Sequence, residues 1–317
     1  VDFRIKHATH YMDILQESDK LYRAGNKGLH LSLEHFDLEW KNISSAHSWI
    51  SNNVFASTEV TELVMRYPAA AGYFFRLRLS AKQRLKWLNL AIVALEVLEN
   101  RKYECLNLSM LAIAYLDLGD IHKAIEHSKI AIDIARKLGD KTFEVEPLST
   151  IGSAYLLLED TQGAIELFEQ IRDITIKFGL RHEEGIAIGN LGLAYKYLGE
   201  FGMALVHYSR AIKIAREFGD KINESIYLGN LGVVYKNMDD VNKAIELYEQ
   251  QLVIVREIGD RIGEGNALGN LGKALHGMGE QEKGIRLMKQ ALEIFEAIES
   301  PNAQMVRNKL KEWGVEE

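Results

Sequence analysis

The chain has 317 residues, of which 47% are hydrophobic and 26% are charged, and its formal net charge is −7. This apolar content excludes a disordered chain, and the negative charge gives no basic footprint for DNA or RNA. The one cysteine, Cys105, excludes an internal disulfide framework and predicts a reducing, cytoplasmic location, while no apolar run approaches the roughly 18 residues that a membrane span needs.

Residues 1–53 predict an N-terminal helical segment made of two helices. Apolar side chains recur at helical spacing over residues 7–23, with an end near Gly25, and again over about residues 29–50. This stretch does not share the period of the residues that follow it. We therefore separate it from the rest of the chain.

Residues 54–101 predict an irregular first repeat of two helices. The helical pattern covers residues 57–79 and 81–98, and Ser80 between them is a suitable N-cap for the second helix. Aromatic residues such as Trp87 are frequent in this pair. It has the size of one of the later repeats but not their motif.

From residue 102 to residue 300 the sequence repeats every 40 residues. One five-residue motif returns five times in register: Leu111-Ala-Ile-Ala-Tyr115, Ile151-Gly-Ser-Ala-Tyr155, Leu191-Gly-Leu-Ala-Tyr195, Leu231-Gly-Val-Val-Tyr235 and Leu271-Gly-Lys-Ala-Leu275. A fixed period of this length indicates an array of similar helical units, each of which contacts its neighbours. We predict five repeats of two helices of roughly 17 to 19 residues each, followed by a C-terminal capping helix in residues 301–317.

Glycines mark the predicted helix ends. Gly119, Gly199 and Gly279 follow the first helices of their repeats, where a residue with positive φ is wanted. A Gly-Asp pair follows the second helices, and its aspartate can serve as an anion at the start of the next helix. These pairs are Gly139-Asp140, Gly219-Asp220 and Gly259-Asp260.

Small residues inside the helices predict close contacts between the two helices of a repeat. Gly192 and Ala204 are small where two backbones should approach, and Tyr195 is placed to fill the adjacent space. A glycine inside a helix costs about 1 kcal/mol relative to alanine, so its recurrence indicates a packing requirement. The equivalent sets are Gly152, Ala164 and Phe168, then Gly232, Ala244 and Tyr248, and more weakly Gly284 and Met288.

The pattern Leu-Gly-x-x-Tyr, then Ala-x3-Tyr/Phe, then Ala resembles the tetratricopeptide repeat over residues 102–299. The period of 40 is longer than the usual value of about 34, and Gly-Asp replaces the proline between repeats. It is similar to the long-period variety in kinesin-light-chain-like proteins and G-protein-signalling modulators. The resemblance implies an all-α, right-handed superhelical solenoid of antiparallel helix pairs, whose concave groove holds a protein or peptide partner.

The predicted groove lies on a second stripe of the first helices, beside the packing stripe. Asn190, Asn230 and Asn270 recur there and match the groove asparagine that hydrogen-bonds partner backbone in this family. An amide both donates and accepts, which suits an extended peptide. The alternative is that these asparagines bond to neighbouring helices. The other candidate groove residues are Ile186, Leu193, Lys196, Tyr197, Ile226, Val233, Lys236, Asn237, Asn266, Lys273 and His276.

The charge of this groove leaves two interpretations open. Lys196, Lys236 and Lys273 could meet an acidic partner or a carboxylate, or they could only keep the surface hydrated. Asn266 stands where the modulator family carries an arginine, which argues against that family's mode of binding acidic peptides.

No pattern in the sequence predicts an enzyme, a metal site or a cofactor. His7 and His10 are three residues apart but lack a third ligand at metal-site spacing. Cys105 has no nearby histidine to activate it and is expected to be a small core residue. Four glutamates open successive first helices, where the helix dipole favours an acid, so we interpret them as structural: Glu144, Glu184, Glu224 and Glu264.

The N-terminal segment is similar to a stretch of bacterial STAND signalling ATPases of the NB-ARC type. The pattern Glu39-x-x-Asn42-Ile43-x-x-Ala46-x-x-Trp49 carries this resemblance, with His47 in place of the usual leucine. It implies a sensor region that follows a nucleotide-binding domain, and an initial Val fits an excised fragment. No phosphate-loop motif occurs in the chain, so such a domain would lie upstream. The alternative is a free-standing scaffold or a cytoplasmic peptide receptor.

Overall fold

A computed structural model describes residues 2–23 and 27–315 of the chain. The described residues form fifteen α-helices and one short 3₁₀ turn. Gly25, the predicted end of the first helix, lies outside the described residues. The helices are α1 (Asp2–Arg23), α2 (Lys27–Asn52), α3 (Thr58–Arg78), α4 (Ala81–Leu98), α5 (Arg101–Asp117), α6 (Ile121–Leu138), α7 (Val145–Leu157), α8 (Thr161–Lys177), α9 (Arg181–Tyr197), α10 (Phe201–Phe218), α11 (Lys221–Asn237), α12 (Val241–Ile258), α13 (Arg261–Gly277), α14 (Gln281–Ala297) and α15 (Asn302–Glu312).

The chain divides into two compact units, which we call the front unit (Val1–Ala187) and the rear unit (Ile188–Glu317). In the front unit α1 packs on α2 and α3, and each helix from α4 to α8 packs on the one before it. In the rear unit the helices from α10 to α15 pack in the same sequential way. Short connections between packed neighbours give antiparallel helix pairs. The predicted limits of the segments, at residues 53, 101 and 300, stay predictions.

A left-handed residue recurs every 20 residues from Glu99 to Glu299. At these eleven positions φ lies between 49° and 93°, and seven of them are glycines. A residue in this conformation ends one helix and lets the chain turn back to start the next. The positive φ predicted at the helix-end glycines is confirmed. The full set is Glu99, Gly119, Gly139, Glu159, Gly179, Gly199, Gly219, Asp239, Gly259, Gly279 and Glu299.

The residue after most of these turns is an aspartate that caps the next helix. Asp220, for example, accepts a hydrogen bond from the backbone N–H of Asn223 at 3.0 Å. Each such bond satisfies one of the N–H groups that a helix start leaves without an intrahelical partner. The predicted role of the Gly-Asp pairs is confirmed. The capping aspartates are Asp120, Asp140, Asp160, Asp220, Asp240 and Asp260.

Ser80 caps α4 as predicted. The Ser80 side chain and the Gln83 side chain form a reciprocal capping box.

Two helices of the front unit depart from the regular pattern. Helix α3 contains Pro68 and is kinked at Gly72, where φ is 46°. Helix α7 has only 13 residues and follows a 3₁₀ turn, with Pro147 in its first turn. Proline lacks an N–H, so it is tolerated near a helix start but disrupts the bonding of a longer helix.

The predicted close contacts at small residues are present in both units. A Cβ atom added to Gly152 would lie 2.5 Å from the Phe168 ring, and one added to Gly232 would lie 2.5 Å from the Tyr248 ring. At Gly272 the nearest atom would be the backbone oxygen of Gly284, at 2.9 Å. These separations are too short for any side chain, so glycine sets the distance between the paired helices.

The four repeated glutamates are buried and ion-paired. Glu224 is 4% exposed, and it accepts from Arg216 at 2.6 Å and from Lys221 at 3.1 Å. Arg216 lies eight residues earlier, on the preceding helix, so the pair joins two repeats. Arg136–Glu144 at 3.4 Å and Arg256–Glu264 at 2.8 Å repeat this arrangement. The equivalent residue before Glu184 is Ile176, and there Arg181 makes the ion pair at 3.0 Å.

An aromatic cluster around His47 packs the start of the front unit. The His47 ring stacks on Trp87 with centroids 3.6 Å apart, and Tyr67 lies 5.7 Å from His47. Burial lowers the pKa of His47 to about 3. The Tyr67 hydroxyl donates to the carbonyl of Ala8 at 2.8 Å, which ties α3 to α1. His47 is therefore a neutral core residue of the front unit.

Cys105 is a core residue of α5, as expected. It is fully buried, its Sγ contacts the carbonyl of Ala131 at 3.4 Å, and burial raises its pKa to about 11. A thiol with this pKa carries little of the reactive thiolate at neutral pH.

Candidate partner-binding site

The three recurrent asparagines occupy one position on α9, α11 and α13 of the rear unit. Asn190, Asn230 and Asn270 are each half-buried. They lie one residue before the packing leucines of the five-residue motif, so the helix pairing places them beside the core rather than in it. We call the surface of these three helices around the asparagines the asparagine face.

One lysine of this face bonds directly to an asparagine of the next repeat. The Lys196 ammonium donates to the Asn230 side-chain oxygen at 2.7 Å and lies 5.4 Å from the centre of the Tyr197 ring. Burial lowers the pKa of Lys196 to about 8. The amide therefore already takes part in a bond between helices, as the alternative interpretation expects, while a partner could still compete for it.

The other predicted residues of the rear unit differ in exposure. Leu193 and Val233 are half-buried and pack against core residues. Lys273 and His276 are half-buried as well. Those open to solvent are Tyr197, Ile226, Lys236, Asn237 and Asn266. Ile186 is also half-buried and belongs to the front unit.

A cavity adjoins the end of the asparagine face, between α11, α13 and α15. Its volume is about 790 Å³. Three of the predicted residues, Lys236, Lys273 and His276, line it together. The His276 ring stacks on Trp313 with centroids 3.8 Å apart and planes 4° from parallel. The lining residues contributed by α15 and its end are Met305, Asn308, Lys309, Glu312 and Trp313. We call this cavity the basic pocket.

Positive charge dominates the basic pocket. Burial lowers the pKa of Lys273, and the nearby ammonium groups of Lys236 and Lys309 lower it further, whereas Glu312 acts in the opposite direction. Lys309 is paired with Glu312 at 2.6 Å. Three lysines and one glutamate thus carry the charge of the described lining, and an added anion would relieve the repulsion between the ammonium groups.

The α15 side of the pocket is missing from the sequence-based prediction. The 40-residue period identifies equivalent positions within the repeats, and it ends before α15. The sequence therefore assigns residues 301–317 only a capping role. The spacing of Lys309, Glu312 and Trp313, which puts them on one face of a helix, is a signal that could have been used.

Within the described ranges, no group of three or more His, Cys, Asp or Glu side chains is arranged to hold a metal ion. In the same part of the chain, none of the helices is both long and apolar enough to cross a membrane.

Comparison with protein families identifies the repeat. A family model described as "Tetratricopeptide repeat" matches residues 103–177, 182–250 and 223–297, which is more than half of the chain. This is a repeat family and not a family of enzymes. Among curated proteins, none matches the sequence.

Several solved structures share the fold at low sequence identity. BtubC from P. vanneervenii is 21% identical with a TM-score of 0.56, covering 70% of this chain and 93% of its own. A STAND protein with a tetratricopeptide repeat sensor from Pyrococcus horikoshii is 18% identical with a TM-score of 0.60, covering 96% of this chain and 48% of its own. A Rap protein complexed with Competence and Sporulation Factor is 16% identical with a TM-score of 0.64, covering 96% and 97%. These likenesses confirm the predicted all-α fold of repeated helix pairs.

Proposed function

Because the chain belongs to the tetratricopeptide repeat family, we propose that its asparagine face binds a protein or peptide partner and catalyses no reaction. The observation that carries this proposal is the recurrence of one half-buried amide on three successive first helices. Such amides can donate to and accept from the backbone of an extended peptide. The lysines beside them favour a partner with acidic side chains.

A peptide-display library selected against the whole chain tests the proposal. We expect enrichment of extended, acidic peptides, and an affinity loss of at least about tenfold when Asn190, Asn230 and Asn270 are all replaced by alanine, since each amide bond contributes about 1 kcal/mol. Asn242→Ala, on the exposed surface of α12, is the matched control. Circular dichroism checks that helix content is unchanged. Peptides that bind the triple variant as tightly as the parent protein would refute the assignment of the face.

At a finer level, we propose that this face is the sensor of a STAND-type ATPase whose nucleotide-binding domain lies upstream in the full-length protein. The support is the N-terminal resemblance together with the likeness to the STAND protein, of which this chain spans about half. The intact mass of the native protein in its source cells tests it. A mass well above the 36.0 kDa of this chain, with a nucleotide-binding segment, is the expected result.

The alternative is a free-standing scaffold or a cytoplasmic peptide receptor. The likeness to the Rap protein supports it, because the two chains cover each other almost completely. A native mass near 36 kDa would favour this alternative over the STAND sensor. The peptide-binding proposal for the asparagine face is common to both.

A further inference from the structure

Among the described residues that line it, the basic pocket carries more positive than negative charge. Lys236, Lys273 and Lys309 contribute three positive charges, and Glu312 contributes one negative charge. All three lysines line the same pocket, and the charges of Lys236 and Lys309 also act on Lys273 through space. The described lining residues therefore carry a surplus of two positive charges.

We propose that the basic pocket is a subsite for a phosphate monoester carried by the peptide that lies on the asparagine face. This inference rests on the proposed peptide-binding function and names one chemical feature of the partner. A phosphorylated serine or threonine carries a charge of about −1.5 to −2 at neutral pH, which matches the surplus, whereas a single carboxylate leaves it half balanced. Lysine ammonium groups bind phosphate as point charges, without requiring the planar geometry of a carboxylate.

The position of the pocket connects it to the rest of the face. Lys273 lies one helical turn after Asn270 on α13, and Lys236 lies nearly two turns after Asn230 on α11. A peptide bonded to these two asparagines can therefore extend a side chain into the pocket. Its volume of about 790 Å³ has ample room for a phosphorylated side chain. Met305 and Trp313 provide an apolar wall for the carbon atoms of that side chain.

Calorimetric titration of the whole chain with phenyl phosphate tests the charge requirement, with benzoate as the monoanionic probe. We expect phenyl phosphate to bind at least about tenfold more tightly than benzoate, and its affinity to fall with added salt. Equal affinities for the two probes would overturn the dianion inference, and so would the absence of binding by phenyl phosphate.

Four single substitutions locate the bound anion. Lys273→Gln and Lys309→Gln should each weaken phenyl phosphate binding about tenfold, because each removes one charge-assisted hydrogen bond. Lys289→Gln, which makes the same charge change on the exposed surface of α14, should leave it within about twofold. Glu312→Gln should tighten binding by about threefold, since it removes the opposing carboxylate and releases Lys309. A gain in affinity cannot result from unfolding of the variant. Weaker binding of phenyl phosphate by Glu312→Gln would contradict the proposal.

The source of the phosphate is tested with peptide pairs and vesicles. A selected peptide with one phosphoserine should bind more tightly than its serine form, and the difference should disappear in Lys273→Gln. If the phosphoserine and serine forms bind equally, the pocket assignment fails while the asparagine-face proposal stands. Conversely, if no peptide is enriched, the proposed function fails whatever phenyl phosphate does. Lysine-dependent sedimentation with phosphoinositide vesicles, without any preference for phosphopeptides, would overturn the peptide as the source.

Discussion

The front unit and the rear unit share one repeat pattern but carry different side chains at an equivalent position. Residues 110, 150, 190, 230 and 270 occupy one repeat position. In the front unit the position holds Met110 and Thr150, and the Thr150 hydroxyl donates to the Glu146 carbonyl of its own helix at 3.1 Å. In the rear unit Asn230 instead accepts from Lys196 on another helix. The polar side chain at this position therefore bonds within its own helix at Thr150 and to another helix at Asn230.

The scaffold beneath these positions differs much less. Left-handed turns every 20 residues, aspartate caps and buried glutamates occur in both units. The residues that specify the fold are therefore separate from those of the proposed binding surface, as expected of a repeat protein whose units contact only their neighbours. Substitutions in the scaffold should change stability in both units, and substitutions on the face should change binding in one.

The largest expected effect is a difference in the free energy of unfolding between alanine substitutions at two glycines of α13. A methyl group at Gly272 would lie 2.9 Å from the Gly284 backbone oxygen, and that atom cannot move without shifting α14, so Gly272→Ala should lower the free energy of unfolding by about 2 to 3 kcal/mol. Gly269→Ala meets nothing within 4 Å and should raise it by up to about 1 kcal/mol. In the front unit Gly152→Ala would place its methyl group 2.5 Å from the ring of Phe168, a fully buried side chain, so a loss of about the same size is expected. Urea unfolding measures all three, and a destabilised Gly269→Ala would contradict the comparison.

The second effect is confined to the front unit and depends on pH. His47 has a folded pKa of about 3, below its ordinary value of 6.5, so only the unfolded chain takes up this proton between those values. Stability from this residue is complete above pH 6.5 and is lost as the pH falls, by about 2 kcal/mol at pH 5. His47→Leu should remove this part of the acid sensitivity. Urea unfolding at pH 7 and pH 5, followed by the fluorescence of Trp87 and its neighbours, measures the difference between the two proteins.

An equal loss on acidification in His47→Leu and in the parent protein would refute this account. Carboxylates titrate in both proteins alike, so their contribution cancels in the comparison.

The sequence predicts most of the scaffold and only part of the candidate site. A period of 40 is visible because each repeat solves the same packing problem, so Gly192, Gly119 and Asp220 could be assigned without a structure. The Arg216–Glu224 pair carries the same periodic signal, yet the sequence suggested only a dipole effect for Glu224. The partner lies eight residues away across a turn, and its contact depends on how two helices cross. Trp313 has no repeat equivalent, so its stacking on His276 depends on tertiary packing alone.

The third prediction concerns an arginine that the front unit lacks at one repeat position. Ile176 occupies the position that is arginine at residues 136, 216 and 256, and it is 55% exposed, whereas Glu184, at the position of the paired glutamates, is buried. Ile176→Arg should raise the free energy of unfolding by about 0.5 to 1 kcal/mol, the range of a partly exposed ion pair. The gain should shrink at high salt. Ile176→Gln is the control for loss of the apolar side chain, and a gain of equal size there would show that the charge is not responsible.

The smallest expected effect is on the titration of Lys196 and reports directly on the asparagine face. The Asn230 oxygen accepts from the charged form of Lys196, so Asn230→Ala should lower the pKa of Lys196 below its value of about 8, by about one unit. The carbon-13 shift of Lys196 in lysine-labelled protein follows the titration. Asn270→Ala, the same change one repeat later, should leave it unchanged. If Asn230→Ala also leaves it unchanged, the Lys196–Asn230 bond does not persist in solution. If the pKa falls, the bond between Lys196 and Asn230 persists in solution, and a partner must share or replace it.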